Sequence, residues 1–517
     1  MAAVRPKGAS AIKWFRAINS DARPHRMIAR VIDPAFVYGD RGVAGNRMND
    51  QLTDHADART VPGVLATLLR LALPTIAGTI SYTLMQFVDG WMLSLLDRQD
   101  GGHGVNLAAS FNGGITVWVL VAACVGVAGV INTLAAQSMG RGESDAPACF
   151  TWQGLWLAAG STAVFMALIP MVPRWFEILG HHGSLLHLET LFAQIMLAIA
   201  PVSFANSVLG NFFLGVHRPV HQFTAGVVGN VVNIILDWIL IFGHLGAPRL
   251  GLLGAALATS IASGVALGIL LAIFFARPCR VKYGTQHAWR LDGRKLWQVL
   301  RIGLPAGAQS SSDILCWTVF SLAWVDHFGT VAAEAQSAVM RYLSLSFMPA
   351  VGMSMAACAL VGKRIGQGDH VGAKSAARWA VVISMFYMGV CGLIFLFCRG
   401  ALAGFMLGPL AQRHIAENLL IFSAIFQIFD GMNIVYLGAL RGAGDTLVPT
   451  LYTTALAWGF CVGGGGLVMW LKPTWGASGP WAMATLYVCI SGVWSLWRWN
   501  SQAWRKFDVL GTSLYQR

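Results

Sequence analysis

The stretch GITVWVLVAACVGVAGVINTLAAQSMGRG, residues 114–142, contains no charged residue before Arg141. A membrane-spanning helix needs about 20 predominantly apolar residues, whereas a strand of a membrane barrel needs about 10 in alternation. The stretch is therefore long enough to cross a bilayer as a helix. Eleven further apolar runs, most of them at least about 20 residues long, lie between residues 67 and 500. We predict an all-α polytopic membrane protein with 12 transmembrane helices.

The composition of the whole chain agrees with this prediction. Of its 517 residues, 56% are hydrophobic and only 11% are charged. A soluble domain carries about 25% charged residues, so the composition excludes a set of soluble domains and a disordered chain. The nine cysteines show no CxxC or Cys/His spacing, and we infer neither a disulfide framework nor a zinc site.

The formal charge of +13 has two readings, nucleic-acid binding or the cytoplasmic loops of a membrane protein. The second is favoured, because the basic residues lie between apolar runs and gather on the side of both termini. We therefore predict that both termini are cytoplasmic. Residues 1–62 form a basic cytoplasmic segment in which Ile12–Ile32 is either a helix on the membrane surface or part of a disordered tail.

Three sequence matches show that the chain is a repeat. Gly140-Arg-Gly142 after span two matches Gly366-Gln-Gly368 after span eight. The other two are Arg70-Leu-Ala-Leu-Pro74 with Arg301-Ile-Gly-Leu-Pro305, and Gly215 with Gly442. Because six is an even number of spans, both halves begin on the same side of the membrane and have the same topology. This predicts two pseudo-symmetric six-helix lobes, the architecture of a transporter whose substrate binds between them.

The predicted boundaries follow from the longest basic loop. The N-lobe covers residues 63–277 with spans one to six, and the C-lobe covers residues 296–500 with spans seven to twelve. Residues 278–295 form a basic cytoplasmic linker between them, and residues 501–517 form a cytoplasmic tail.

Four aspartates lie well inside predicted spans: Asp89, Asp237, Asp313 and Asp430. A carboxylate at the bilayer centre costs about 2.5–3.5 kcal/mol on insertion scales, so these positions indicate function unless each is only a hydrogen-bond acceptor between helices. Among Lys and Arg, we expect only Arg341 to lie in the membrane and to be available to neutralise these acids. Asn233 lies four residues before Asp237 and shares its helix face. With Asp89 opposite, these oxygen atoms would suit H⁺ or Na⁺.

Other motifs are weaker. Tyr82 and Phe87, on the span of Asp89, either line a pocket or only pack between helices. Gly442-Ala-Gly-Asp445 matches the GxGD motif of intramembrane proteases, with Asp430 as the second carboxylate, but Asp445 falls in a predicted cytoplasmic turn. The sequence has no phosphate-binding loop motif, which disfavours an ATP-driven pump. We expect no enzymatic activity.

Several segments together resemble the multidrug and toxin extrusion (MATE) family. They are Leu304-Pro305, Leu345-Ser-Phe-Met-Pro349, Val361-Gly-Lys-Arg-Ile-Gly-Gln-Gly368, Leu440-Arg-Gly-Ala-Gly-Asp-Thr446, Gly254-Ala-Ala-Leu-Ala-Thr259 and the span around Asn233 to Gly243. The resemblance covers about residues 65–500. It implies a V-shaped pair of lobes around a central cavity.

The resemblance also implies a bacterial inner-membrane antiporter that exports cationic, amphipathic drugs or toxins in exchange for Na⁺ or H⁺. The family's first-lobe cation cluster maps onto Asp89, Asn233, Asp237 and Thr259. The first three would be the ligands if the cation is Na⁺. Its second-lobe carboxylates map onto Asp313, which is often Glu in the family, and Asp430. Predicted substrate contacts are Tyr82, Phe87, Asp89, Gln309, Asp313 and Asp430.

The expected partners are small organic cations and membrane lipids, with no nucleic acid, no cofactor besides the coupling ion, and a monomeric chain. A lipid-linked oligosaccharide flippase, or another exporter of the same superfamily, is the alternative. A flippase would be expected to have basic cavity residues, for which Arg341 is the candidate.

Overall fold

The computed structural model describes residues 61–99, 104–407, 410–507 and 509–510. The predicted surface helix or tail at Ile12–Ile32 lies outside the described residues. So do the rest of the N-terminal segment up to residue 60 and the end of the predicted C-terminal tail.

The described residues form twelve long helices joined by short turns and a few short helices. They are α1 (Val61–Gln99), α2 (Val105–Gly140), α3 (Ala146–Leu168), α4 (Gly183–Gly215), α5 (Pro219–Phe242), α6 (Leu252–Phe274), α7 (Gly293–Val319), α8 (Thr330–Gly366), α9 (His370–Phe397), α10 (Leu410–Ala443), α11 (Leu447–Leu471, with a π-helical stretch at Ala457–Gly464) and α12 (Ser478–Asn500). The prediction of twelve helices is confirmed.

Ten of these helices, counted over the described residues, are long and apolar enough to cross a membrane on composition alone. The other two, α7 and α12, carry polar side chains. In α7 these form the run Gln309-Ser-Ser-Ser-Asp313, and in α12 Ser491 and Ser495 are buried. Hydropathy undercounts helices of this kind, because their polar groups are packed inside the protein and do not face lipid.

Helix pairing repeats between the lobes, α1–α6 and α7–α12. Within the N-lobe α2 packs on α4, α3 on α4 and α5 on α6; the same pairs occur in the C-lobe as α8 with α10, α9 with α10 and α11 with α12. The lobes meet through α1 on α8 and α7 on α2, which are also equivalent pairs. The predicted pseudo-symmetry is therefore present in the packing.

Glycines allow the closest approaches between lobes. A Cβ atom at Gly126 of α2 would lie 2.6 Å from the carbonyl oxygen of Ala306 in α7. At the equivalent contact, a Cβ atom at Gly352 of α8 would lie 2.9 Å from the backbone nitrogen of Ile76 in α1. Neither position has room for a side chain, so both of these contacts between the lobes require glycine.

The repeated Gly140 and Gly366 have the same kind of role at the ends of α2 and α8. A Cβ atom at Gly140 would overlap the carbonyl oxygen of Lys363, and one at Gly366 would overlap that of Gln137. The Gln137 side chain donates a hydrogen bond of 2.9 Å to the carbonyl of Gly442. The sequence repeat thus marks the place where the two lobes cross and are hydrogen-bonded.

Candidate functional site

The structure brings the two acidic side chains of the N-lobe together. The carboxyl groups of Asp89 in α1 and Asp237 in α5 lie within hydrogen-bonding reach of each other. Asp237 has 0% exposure, and neither of its carboxyl oxygens receives a hydrogen bond from the described residues. Two facing acceptors without a donor can be stabilised by a shared proton or by a bound cation.

Asn233 and Thr259 complete this cluster. Asn233 is fully buried, and its side-chain nitrogen donates to the hydroxyl oxygen of Thr259 in α6 at 3.3 Å. The amide oxygen of Asn233 has no donor among the described residues. Because the amide nitrogen is held by Thr259, the amide oxygen remains as an acceptor one turn before Asp237 on the same helix.

Close packing of α5 on α6 positions Asn233 beside Thr259. A Cβ atom at Gly254 of α6 would lie 2.6 Å from the backbone of Leu240, and one at Gly229 of α5 would lie 3.2 Å from the Ala266 side chain. These two glycines lie on either side of the Asn233–Thr259 hydrogen bond along the helices. They let the helices approach closely enough for short polar side chains to meet.

An apolar cluster closes one end of the acidic pair. It contains the residues one to two turns beyond Asp89 on α1 and one turn beyond Asp237 on α5. Its buried members are Met92, Leu93, Leu96, Ala109, Ile241, Leu252 and Ala255. The cluster excludes water at this end, which strengthens electrostatic interactions within the site.

This arrangement can bind and release a small cation. Two carboxylates about 4 Å apart repel by about 4 kcal/mol when both are charged and the effective dielectric constant is about 20. A proton or monovalent cation between them removes that repulsion. The oxygen donors of Asp89, Asp237, Asn233 and Thr259 are of the type that hard cations prefer.

Tyr82 lies on the same helix as Asp89 and lines a pocket of about 210 Å³ between α1, α5 and α8. Other lining residues include Thr79, Phe223, Gly226 and Met348. The pocket therefore lies between the lobes, and its lining residue Tyr82 is two turns before Asp89 on α1. Phe87 is 61% exposed and lies outside the buried part of the site.

The two acidic side chains of the C-lobe form a second cluster. Asp313 in α7 and Asp430 in α10 interact electrostatically, and both interact with Tyr487 in α12. Gln309, one turn before Asp313, is buried and donates to the hydroxyl of Thr453 in α11 at 3.0 Å. The structure therefore places the Gln309 side-chain amide in the contact between α7 and α11.

Two residues of this cluster were not found from the sequence. Tyr487 follows Thr259 by 228 residues, within the repeat spacing, so comparison of the two lobes could have identified it. Arg441 at the end of α10 interacts electrostatically with Asp313. The expectation that Arg341 alone could neutralise an intramembrane acid is therefore wrong. The long Arg441 side chain extends from the end of α10 toward α2, where a guanidinium nitrogen lies 3.7 Å from the Cβ position of Gly129. Arg341 itself is exposed.

Asp445 of the GxGD motif has a structural partner. It is 1% exposed, and one of its carboxylate oxygens accepts a hydrogen bond of 2.9 Å from Arg498 in α12. Burial raises the pKa of Asp445, and Arg498 opposes this shift. The contact joins the turn between α10 and α11 to α12.

The chain is similar in sequence to a protein family and to several bacterial proteins. The MatE family model matches residues 74–239 and 313–461. A probable multidrug resistance protein NorM of Pseudomonas syringae is 27% identical over 422 residues, covering 78% of this chain and 90% of that protein. The multidrug resistance protein MdtK of Edwardsiella ictaluri is 26% identical over 429 residues, covering 80% and 90%.

Solved structures share the fold. A MOP superfamily transporter from Pyrococcus furiosus superposes with a TM-score of 0.77 at 20% identity, covering 86% of this chain and 97% of that one. A point mutant of the Vibrio cholerae MATE transporter VcmN gives 0.75 at 19% identity, covering 87% and 99%.

Proposed function

The chain belongs to the MatE family, and on this premise we propose that it is a multidrug efflux transporter that exports cationic, amphipathic compounds in exchange for Na⁺ or H⁺. The observation that carries the proposal is the facing pair Asp89 and Asp237, whose carboxyl oxygens lack donors among the described residues. Such a pair requires a cation or proton, as an ion-coupled carrier does. We place this exchange in the bacterial inner membrane, with both termini in the cytoplasm.

The position of the pair suggests how the ion affects the drug. Asp89 and the pocket residue Tyr82 are on one helix, and Asp237 and Gly226 are on another. A cation between the two carboxylates draws α1 and α5 together, and the pocket between these helices and α8 changes with them. Binding of Na⁺ or H⁺ therefore lowers the affinity of the pocket for the organic cation, and release of the ion restores that affinity.

The second cluster supplies negative charge in the other lobe. Asp313 and Asp430 can attract an organic cation, while Arg441 limits the negative charge near Asp313. Movement of one elementary charge across 100 mV is worth about 2.3 kcal/mol. One or two coupling ions are therefore sufficient to drive useful drug accumulation outside the cell.

The test is efflux of a fluorescent organic cation from vesicles under imposed Na⁺ or H⁺ gradients. We expect gradient-dependent efflux from the wild type and its loss in Asp237→Asn. The matched control is Glu189→Gln, since Glu189 is also a fully buried N-lobe acid but is bonded to Asn112 and His181. Absence of gradient-dependent efflux from the wild type would rule out the antiporter. Full efflux by Asp237→Asn would rule out the site.

A lipid-linked oligosaccharide flippase remains the alternative. Arg441 is a basic group that interacts electrostatically with Asp313, and it favours this alternative more than the exposed Arg341 does. In the same vesicles, a flippase would translocate an anionic lipid-linked substrate without an ion gradient and would leave the dye inside.

A further inference from the structure

The segment Arg277–Arg301 comprises most of the connection from α6 to α7 and the first turns of α7, and it is strongly basic. It contains seven basic residues and one acidic residue. Six of the basic side chains are exposed: Arg277, Arg280, Lys282, Arg290, Arg294 and Arg301. We call this segment with its exposed side chains the interlobe basic face.

The single acid of the segment is already engaged. Asp292 accepts hydrogen bonds from the backbone nitrogens of Arg294 at 2.9 Å and Lys295 at 3.3 Å, where α7 begins. Its other oxygen lies 3.9 Å from the Lys295 ammonium group. Asp145, in the neighbouring turn, lies beside Gly284, where its carboxylate is 3.4 Å from the Cβ position. The exposed basic side chains are therefore available to an anionic partner.

Side chains of α3 hold this segment in one arrangement. Trp152 donates to the carbonyl of Thr285 at 2.8 Å, and Trp156 donates to that of Trp289 at 2.8 Å. Gln153 donates to the carbonyl of Arg290 at 3.0 Å. Its amide oxygen also accepts from the backbone nitrogen of Asp292 at 3.2 Å. The face is thus preformed, so that little ordering is needed before a partner binds.

Large apolar side chains are exposed between the basic ones. Val281 is 80% exposed, Trp289 54%, Leu291 63% and Trp297 62%. The segment connects the ends of two transmembrane helices, and indole rings at this depth prefer the boundary between headgroups and acyl chains. A soluble anion would contact the arginines only, whereas a lipid would also contact these apolar groups.

We propose that the interlobe basic face binds anionic phospholipid, with the phosphate on the arginines and the acyl chains against the exposed tryptophans. Clusters of four to eight basic residues beside a transmembrane helix attract anionic lipid. The face connects the two lobes, so bound lipid would fix the surface on which α6 and α7 move. This inference does not depend on the transported compound.

The test measures lipid retained by the full-length protein. Protein purified from an equimolar mixture of phosphatidylglycerol and phosphatidylcholine is analysed by native mass spectrometry. We expect the wild type to retain phosphatidylglycerol preferentially. We expect Arg280→Gln/Arg294→Gln to lower that preference roughly tenfold, because each basic side chain near an anionic surface adds several-fold to binding. The matched control Arg98→Gln/Arg174→Gln removes two exposed arginines at the opposite helix ends.

Three results would overturn the proposal. The first is equal retention by the wild type and Arg280→Gln/Arg294→Gln, and the second is an equal loss in the control. The third is displacement of the lipid by glycerol phosphate at the same phosphate concentration, which would indicate a site for free phosphate. A photo-crosslinking residue at position 281 gives a second readout: the proposal requires crosslinks to lipid, and crosslinks to protein or RNA only would contradict it.

Discussion

Substitution of the repeated glycines tests whether the pseudo-symmetric packing holds each lobe together. Gly442 of α10 faces α8, and a Cβ atom there would lie 2.5 Å from the carbonyl oxygen of Cys358 and 3.0 Å from its Cα. Ordinary contacts of a Cβ atom begin at 3.4 Å. In Gly442→Ala the helices must therefore separate by about 0.9 Å, since the obstacle is backbone and cannot rotate away. Overpacking of this kind costs about 1–3 kcal/mol.

Helix propensity acts in the opposite direction and has to be separated from this cost. Alanine is favoured over glycine inside a helix by about 1 kcal/mol. Gly264→Ala on α6 is the matched control, because a Cβ atom there meets nothing within 4 Å. The difference between the two variants isolates the packing cost. Gly215→Ala repeats the test in the N-lobe, where the Cβ atom would lie 2.8 Å from the carbonyl oxygen of Asn132.

The assay is thermal unfolding of the purified protein. The measured quantity is the fraction of protein that remains monodisperse after heating. For a chain of this size we expect Gly442→Ala to melt about 2–6 °C below Gly264→Ala. Gly215→Ala should show a similar deficit. If both variants melted together with the control, the close helix contacts and the argument from the repeat would be wrong.

Three further predictions concern single side chains. Arg441→Gln removes the cation that interacts with Asp313. We expect the efflux rate to fall several-fold and the pH profile of efflux to shift. An unchanged profile would contradict this role of Arg441. Burial and nearby cations lower the pKa of His217, in the turn between α4 and α5, to about 3. The neutral form is therefore favoured on folding, and stability is lost as pH falls from about 6.5 toward 3. Between pH 7 and pH 5, the melting temperature of His217→Gln should fall less than that of the wild type. An equal fall in both proteins would refute this. Asn233→Ala removes an amide oxygen beside Asp237, and the concentration of Na⁺ or H⁺ needed for half-maximal efflux should rise about tenfold or more.

The fold and the N-lobe cluster could be predicted from the sequence because the membrane makes their signals strong. A carboxylate inside a long apolar run is costly, so Asp89 and Asp237 stand out without any knowledge of packing. The glycines that mark the repeat, such as Gly442, are positions where helix backbones touch. Their spacing therefore carried information about three-dimensional contact.

Other parts of the site depend on side-chain reach, which a single sequence does not reveal. Arg441 stands beside a predicted cytoplasmic turn in the sequence, and only the structure shows its interaction with Asp313. Tyr487 is one aromatic residue among many in the sequence, and only the fold brings it within electrostatic range of Asp313 and Asp430. Gln309 was predicted to contact substrate, but the sequence could not indicate its hydrogen bond to Thr453.

The most direct test of the central claim is counterflow in proteoliposomes, with an outward gradient of an organic cation as the only driving force. The account predicts that the wild type moves H⁺ or ²²Na⁺ inward against the exported cation, and that Asp237→Asn moves neither, while the control Glu189→Gln behaves as the wild type. Counterflow by Asp237→Asn at the rate of the wild type would show that the Asp89–Asp237 pair does not carry the coupling ion.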